Sequence, residues 1–165
     1  MTERQTMLQR ELRQRRPFDS PAHEALLGLL RTADAARRAV AAAIEPHGIT
    51  SQQFNVLRIL RGAQPDPLPT LEIAERMIEQ TPGITRLLDR LEAKGLVGRT
   101  RCPTDRRQVH CRITPAGLKL LDVLEAPVRD AGNATMRPIG AAGQKQLVKL
   151  LDRLRAALET GEHLR

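Results

Sequence analysis

The chain has 165 residues, with 27 Lys plus Arg against 19 Asp plus Glu and a formal net charge of +8. That length fits one domain, or one domain with an appended dimerisation element, and a composition that is 41% hydrophobic and 28% charged is too apolar for a disordered basic tail. The longest apolar runs, such as 39–44, fall far short of the roughly 20 residues that span a bilayer, and no signal peptide is visible, so the expectation is a cytoplasmic protein with no membrane role.

From Ala22 to Glu45, apolar residues recur at Leu26, Leu30, Ala33, Val40 and Ile44, with Arg37 interrupting the stripe. Steps of three and four predict a long amphipathic helix, which Ser20 and Pro21 start and Pro46, His47 and Gly48 close. A helix of that length suits packing against another subunit. A second helix is expected from the Thr50/Ser51 cap, carrying Phe54, Leu57, Ile59 and Leu60. The stretch 62–69 holds three prolines and reads as a loop. Thr70 is then expected to cap a short helix with Leu71, Ile73, Ala74 and Met77 on its apolar side.

The next helix is expected to open at Thr81-Pro82 and run to Lys94, with Ile84, Leu87, Leu88 and Leu91 facing inward and Gly95 ending it. Between Leu96 and Ile113 the period changes to two. Residues 97–102 and 107–113 read as strands joined by an exposed hairpin tip at 103–106. Thr114-Pro115 repeats the cap-and-proline signal and opens a helix through Leu118, Leu121, Leu124 and Val128. Gly132, Pro138, Gly140 and Gly143 punctuate the region after it, and a last helix carries Leu147, Leu150, Leu151, Leu154 and Leu158.

The charge is unevenly placed. Residues 1–16 hold five Arg against Glu3 and Glu11, and residues 81–112 hold eight Lys or Arg against Asp89, Glu92 and Asp105. These two segments supply the whole basic excess, which resembles the footprint of a polyanion partner. Trp and Tyr are absent and Phe stands only at 18 and 54, which argues against single-strand readers that stack bases on aromatic rings and leaves duplex DNA as the favoured partner. Two short helices joined by a tight turn and followed by a basic hairpin describe a winged helix-turn-helix, whose second short helix enters the major groove while the wing reaches the adjacent backbone or minor groove. With 84, 87, 88 and 91 turned inward, Thr81, Gly83, Thr85, Arg86, Asp89 and Arg90 lie on or near the open side. Gly83 permits close backbone approach, and Arg86 and Arg90, one turn apart, suit a guanine edge or a phosphate. For Arg90 the alternative is an ion pair with Asp89 or Glu92.

Through several of these segments the chain resembles the multiple-antibiotic-resistance-regulator (MarR) family of bacterial transcription factors. The resemblance rests on 73–76 (IAER), 84–97 (ITRLLDRLEAKGLV) and 105–117 (DRRQVHCRITPAG). In the last of these an Asp, a basic residue two positions on, a strand, an Ile-Thr pair and a Gly three positions after that Thr follow one another. The resemblance implies a mainly α fold with a small β-hairpin. It divides the chain into a basic arm at 1–20, an N-terminal dimerisation helix at 21–48, a winged helix-turn-helix at 49–117 and C-terminal dimerisation helices at 118–165. The arm is either disordered until DNA is bound or a DNA contact in its own right. Carried over residue by residue, Arg107 enters the minor groove, Asp105 holds Arg107 or the wing backbone, Arg106 contacts phosphate, and the helix 81–94 is the recognition helix. Two features depart from the family pattern: the turn Met77-Ile78-Glu79-Gln80 lacks glycine, and the recognition helix opens Thr81-Pro82-Gly83 rather than on Ser or Thr side chains.

The family resemblance further implies a homodimer that represses a pseudopalindromic operator and is released by a small phenolic or anionic effector. By position, Arg37, Arg38, His47 and Phe54 are the candidate effector-lining residues. Two other readings stand beside this one: a redox-responsive regulator switching through Cys102 and Cys111, and a winged-helix module that docks another protein. The four His (23, 47, 110 and 163) show no ligand spacing, and no glycine-rich phosphate loop or catalytic constellation is present, so neither a metal, another cofactor nor an enzymatic activity is expected.

Overall fold

The computed structural model describes residues 5–79, 83–101, 105 and 108–160. Of the sequence-derived candidates, Thr81, Cys102, Arg106 and Arg107 lie outside the described residues. The chain forms two compact units, Met1–Ala39 and Val40–Arg165.

The first unit holds α1 (Met7–Glu11) and most of α2 (Pro21–Ile44). Sequence periodicity does not reveal α1, because five residues are too few to show a stripe. Its start is nonetheless well made: the Thr6 hydroxyl accepts the Gln9 N–H at 3.3 Å while the Gln9 side chain accepts the Thr6 N–H at 2.8 Å, a reciprocal capping box. Leu8 lies over Gly28, and Arg31 pairs with Glu11 at 3.4 Å, so α1 is held against α2. Ser20 caps α2 as expected, its hydroxyl accepting the His23 N–H at 3.1 Å.

The second unit contains α3 (Ser51–Gly62), β1 (Leu68–Pro69), α4 (Thr70–Glu75), α5 (Ile84–Ala93), β2 (Val97–Arg101), β3 (Val109–Ile113), α6 (Pro115–Met136) and α7 (Gly140–Thr160). Its core joins Phe54, Leu57 and Leu60 of α3, Ile73 of α4, Leu88 and Leu91 of α5, Val97 and Cys111 of the hairpin, and Leu121 and Leu124 of α6. The sheet is antiparallel in the order β1-β3-β2. β1 is a correction to the proline-rich loop expected at 62–69. Two residues carry no alternating pattern of their own, and the strand exists because Leu68 and Pro69 lie opposite Cys111 and His110.

Thr70 is a second correction. It lies inside α4, Pro69 precedes the helix, and the Thr70 hydroxyl donates to the Val109 carbonyl at 3.2 Å, tying α4 to β3 instead of capping it. A third concerns Gly132. α6 passes straight through it, since one glycine costs a helix only about 1 kcal/mol, and the break falls at the Arg137–Ile139 turn, where Pro138 and Gly140, at a positive φ of 61°, redirect the chain. No helix among the described residues is long and apolar enough to cross a membrane.

The joint between hairpin and α6 accounts physically for the Ile-Thr-x-x-Gly pattern. Thr114 accepts the Gly117 N–H at 3.1 Å and donates to the Gly95 carbonyl at 2.7 Å, so one hydroxyl caps α6 and holds the end of α5. Gly117 has no room for a side chain: a Cβ there would stand 2.5 Å from the Leu96 carbonyl oxygen and 2.7 Å from Ile113.

Candidate nucleic-acid interface

α5 is amphipathic in the expected sense. Leu87, Leu88 and Leu91 are buried, whereas Gly83, Thr85, Arg86, Asp89 and Arg90 are exposed. The helix starts two residues later than the sequence suggests. Its N-cap is Gly83, at φ 113°, a conformation strained for any residue with a Cβ, and the cap has no side-chain hydrogen bond. Thr81, the cap expected from the sequence, lies outside the described residues.

The acidic side chains of α5 are committed elsewhere. Arg99, on β2, donates to Glu92 from Nε at 2.8 Å and from a terminal nitrogen at 2.5 Å, and lies 2.7 Å from Asp89. The Arg99 side chain is only 22% exposed, and its pKa is raised above the ordinary value chiefly by the hydrogen bond to Glu92. Among the described residues no carboxylate pairs with Arg86 or Arg90. Of the two alternatives for Arg90, the ion pair with Asp89 or Glu92 is therefore not the one formed.

The turn before α5 lacks glycine, and α3 compensates. The Asn55 side chain accepts the Ile78 N–H at 2.9 Å, and Gln52 donates to Glu79 at 3.4 Å, so two α3 side chains fix the chain between the short helices. Between the two hairpin strands, Asp105 is half-buried and its carbonyl accepts the Gln108 N–H at 3.0 Å.

Of the two cysteines, Cys102 lies outside the described residues, and Cys111 is free. Cys111 is fully buried and faces Arg99 across the hairpin, so the register gives the position opposite it to arginine. Burial pushes the Cys111 thiol up, with the Thr70 hydroxyl 4.0 Å away acting in the opposite direction. Burial and a raised pKa both disfavour the thiolate, the reactive form of a cysteine.

The effector candidates separate. A cavity of about 330 Å³ lies between α3 and α6, lined by Phe54, Arg58, Arg61, Leu121, Glu125, Val128 and Arg129. Phe54 is the one sequence candidate on its wall. Arg37 and Arg38 both engage Asp34 one turn away, and His47 lies exposed in the short turn Glu45–His47.

The sequence profile of the MarR family matches residues 49–109, the stretch from the start of α3 into β3. A MarR transcription factor from Planctomyces limnophilus is 41% identical, with 82% of this chain and 98% of that one covered at a TM-score of 0.65. The chain belongs to the MarR family. It is a winged-helix transcription regulator of that family, and further solved structures share its fold. They include a mutant MarR from E. coli in complex with operator DNA, at 26% identity, 76% and 89% coverage and a TM-score of 0.69. A probable transcriptional regulator from Pseudomonas aeruginosa matches at 25% identity, 76% and 92% coverage and a TM-score of 0.68.

Within this MarR-family site, three contributors escape a reading by residue type alone: Arg99, Asn55 and Gln52. Arg99 does carry a signal. It stands two residues after buried Val97 in a strand, hence on the inward face, and an inward arginine requires carboxylates to meet it. Asn55 and Gln52 carry none, because a polar residue on a helix surface looks alike whether it caps a neighbouring turn or faces water.

Proposed function

We propose that this MarR-family chain is a homodimeric repressor that binds a pseudopalindromic operator in duplex DNA. α5 enters the major groove, the segment 102–108 meets the adjacent minor groove and backbone, and a small anionic or phenolic effector releases the DNA. The observation that carries the proposal is the exposed face of α5, where Arg86 and Arg90 stand one turn apart with their acidic neighbours engaged by Arg99. Arginines so placed can reach guanine edges or phosphates. The operator complex of the E. coli relative lends support at 26% identity. Thr81, Gly83, Thr85, Asp105, Arg106 and Arg107 complete the proposed contact surface.

The dimer is supported by apolar surface left uncovered. α7 is 21 residues long and buries none of them, yet it carries Leu147, Leu150, Leu151, Leu154 and Leu158 at helical spacing. α2 likewise exposes Leu26, Leu29 and Leu30. Leucine stripes of this kind are satisfied by a second copy, and a two-fold dimer also matches a pseudopalindrome. For the effector, the α3–α6 cavity offers an aromatic wall in Phe54 and three cations, Arg58, Arg61 and Arg129, against one carboxylate, Glu125, which lies 3.8 Å from Arg61. Such a ligand must bind the released conformation more tightly than the DNA-bound one.

The test is selection of bound duplexes from a random DNA pool. A motif with two symmetric half-sites about one helical turn apart supports the reading. Absence of any enriched sequence overturns it.

A further inference from the structure

The structure assigns to Arg99 the role of a positioning residue that keeps Asp89 and Glu92 away from Arg86 and Arg90, so that the two arginines remain available to DNA. This rests on the DNA-binding reading above and adds a determinant that the reading does not contain.

The charge of α5 itself sets the problem. Its four charged residues are Arg86, Asp89, Arg90 and Glu92, which cancel. Residues three and four apart on a helix are surface neighbours, so Arg86 and Asp89 are placed to pair along the helix, while Arg90, next to Asp89 in sequence but not facing it, feels only its field. Left to itself, a helix with this sequence quenches its own cations and turns two carboxylates toward any polyanion that approaches. Such local pairing is common here: Arg38 with Asp34, Arg76 with Glu72 and Arg155 with Asp152 all bond three or four residues along their own helices.

On α5 the pattern is broken. Asp89 and Glu92 are both drawn to Arg99, which belongs to a different element and reaches them from the inward face of β2. Two properties fix that choice. Arg99 lies opposite buried Cys111, so its stem is packed and its guanidinium has few other places to go. Its forked geometry then engages both carboxylates at once, which a lysine point charge would not reproduce. The combined unit of α5 and Arg99 carries a net positive charge, and Arg86 and Arg90 on the exposed side meet no carboxylate among the described residues.

The test compares four full-length proteins: wild type, Arg99→Gln, Asp89→Asn/Glu92→Gln, and the triple variant with all three changes. Binding is measured by fluorescence anisotropy on a random-sequence duplex of about 30 base pairs, long enough for two half-sites a helical turn apart, and on the duplex recovered by pool selection. Arg99→Gln is expected to weaken binding about tenfold, the order of one or two uncompensated charges facing phosphate. The double variant is expected to bind at least as tightly as wild type, and the triple variant to recover to within about threefold of it, because no carboxylate is left to quench the arginines.

A merely structural clamp gives the opposite pattern. The double variant would then weaken binding together with the melting temperature, and the triple variant would stay as weak as Arg99→Gln. Either result overturns the assignment, as does an Arg99→Gln protein that binds like wild type. If Arg99→Gln does not fold, the double variant against wild type decides alone, tighter or equal binding supporting the role and weaker binding refuting it. A wild-type protein that binds neither duplex would instead overturn the DNA-binding reading itself.

Discussion

α5 and α7 are both leucine-bearing amphipathic helices, and they end in opposite situations. α5 has only ten residues, yet Leu87, Leu88 and Leu91 are buried within its own chain. α7 has twenty-one and buries none. A short helix whose apolar side is satisfied can devote its other side to polar recognition, the role proposed above for Arg86 and Arg90 of α5. A long helix whose apolar stripe is uncovered presents its leucines instead, the surface proposed above for a second copy. The same periodicity thus serves two ends, and burial separates them.

The two leucine stripes should respond most differently to truncation. Leu88→Ala should cost about 2–5 kcal/mol of folding stability, because a fully buried leucine leaves a cavity. Chemical denaturation measures that loss, and a cost under about 0.5 kcal/mol, ordinary for a surface site, would contradict the core assignment. Leu154→Glu with Leu158→Glu should act on assembly instead. Light scattering is expected to report twice the 18.4 kDa chain mass for wild type and the single chain mass for the variant. An unchanged mass would remove α7 from the proposed dimer.

The polar side of the comparison is probed by Arg86→Ala, which should lower duplex affinity by about 1–3 kcal/mol while leaving the melting temperature in place. Gly117→Ala sharpens the picture of how the wing is attached. A methyl group 2.5 Å from a backbone oxygen forces the joint apart, at about 1–3 kcal/mol of stability by thermal melting. The smallest effect concerns Cys111. In a Cys102→Ser background the buried, raised-pKa thiol should resist a thiol reagent at neutral pH until denaturant is added, whereas prompt labelling would show it to be accessible.

How much the sequence discloses depends on how local the causes are. The Thr114-Pro115 start, the burial of Leu87, Leu88 and Leu91, and the strands meeting through Val109, Cys111 and Ile113 depend on residues within a few positions of one another. β1 depends on a partner strand some forty residues away, and Thr70 resembles a cap in sequence although its hydroxyl finds a carbonyl across the same distance. α1 depends on Leu8 against Gly28 and Glu11 against Arg31. The candidate site divides in the same way. Exposure of Thr85, Arg86 and Arg90 is set by helical period and is legible. The state of Arg90 is not, because it is decided by Arg99, which lies beyond the turn at Gly95. Position along the chain suggests four effector-lining residues, and only Phe54 stands on the cavity wall, since much of the remaining wall comes from the facing side of α6.

In the proposed regulator Arg86 and Arg90 are held open for the phosphates and bases of duplex DNA. The decisive measurement is the salt dependence of duplex binding for wild type and for the Arg86→Ala/Arg90→Ala variant. A steep fall of affinity with salt is expected in wild type. The variant is expected to lose more than about tenfold in affinity and to show a slope shallower by about one to two units per protomer. Equal affinities and equal slopes in the two proteins would contradict that role.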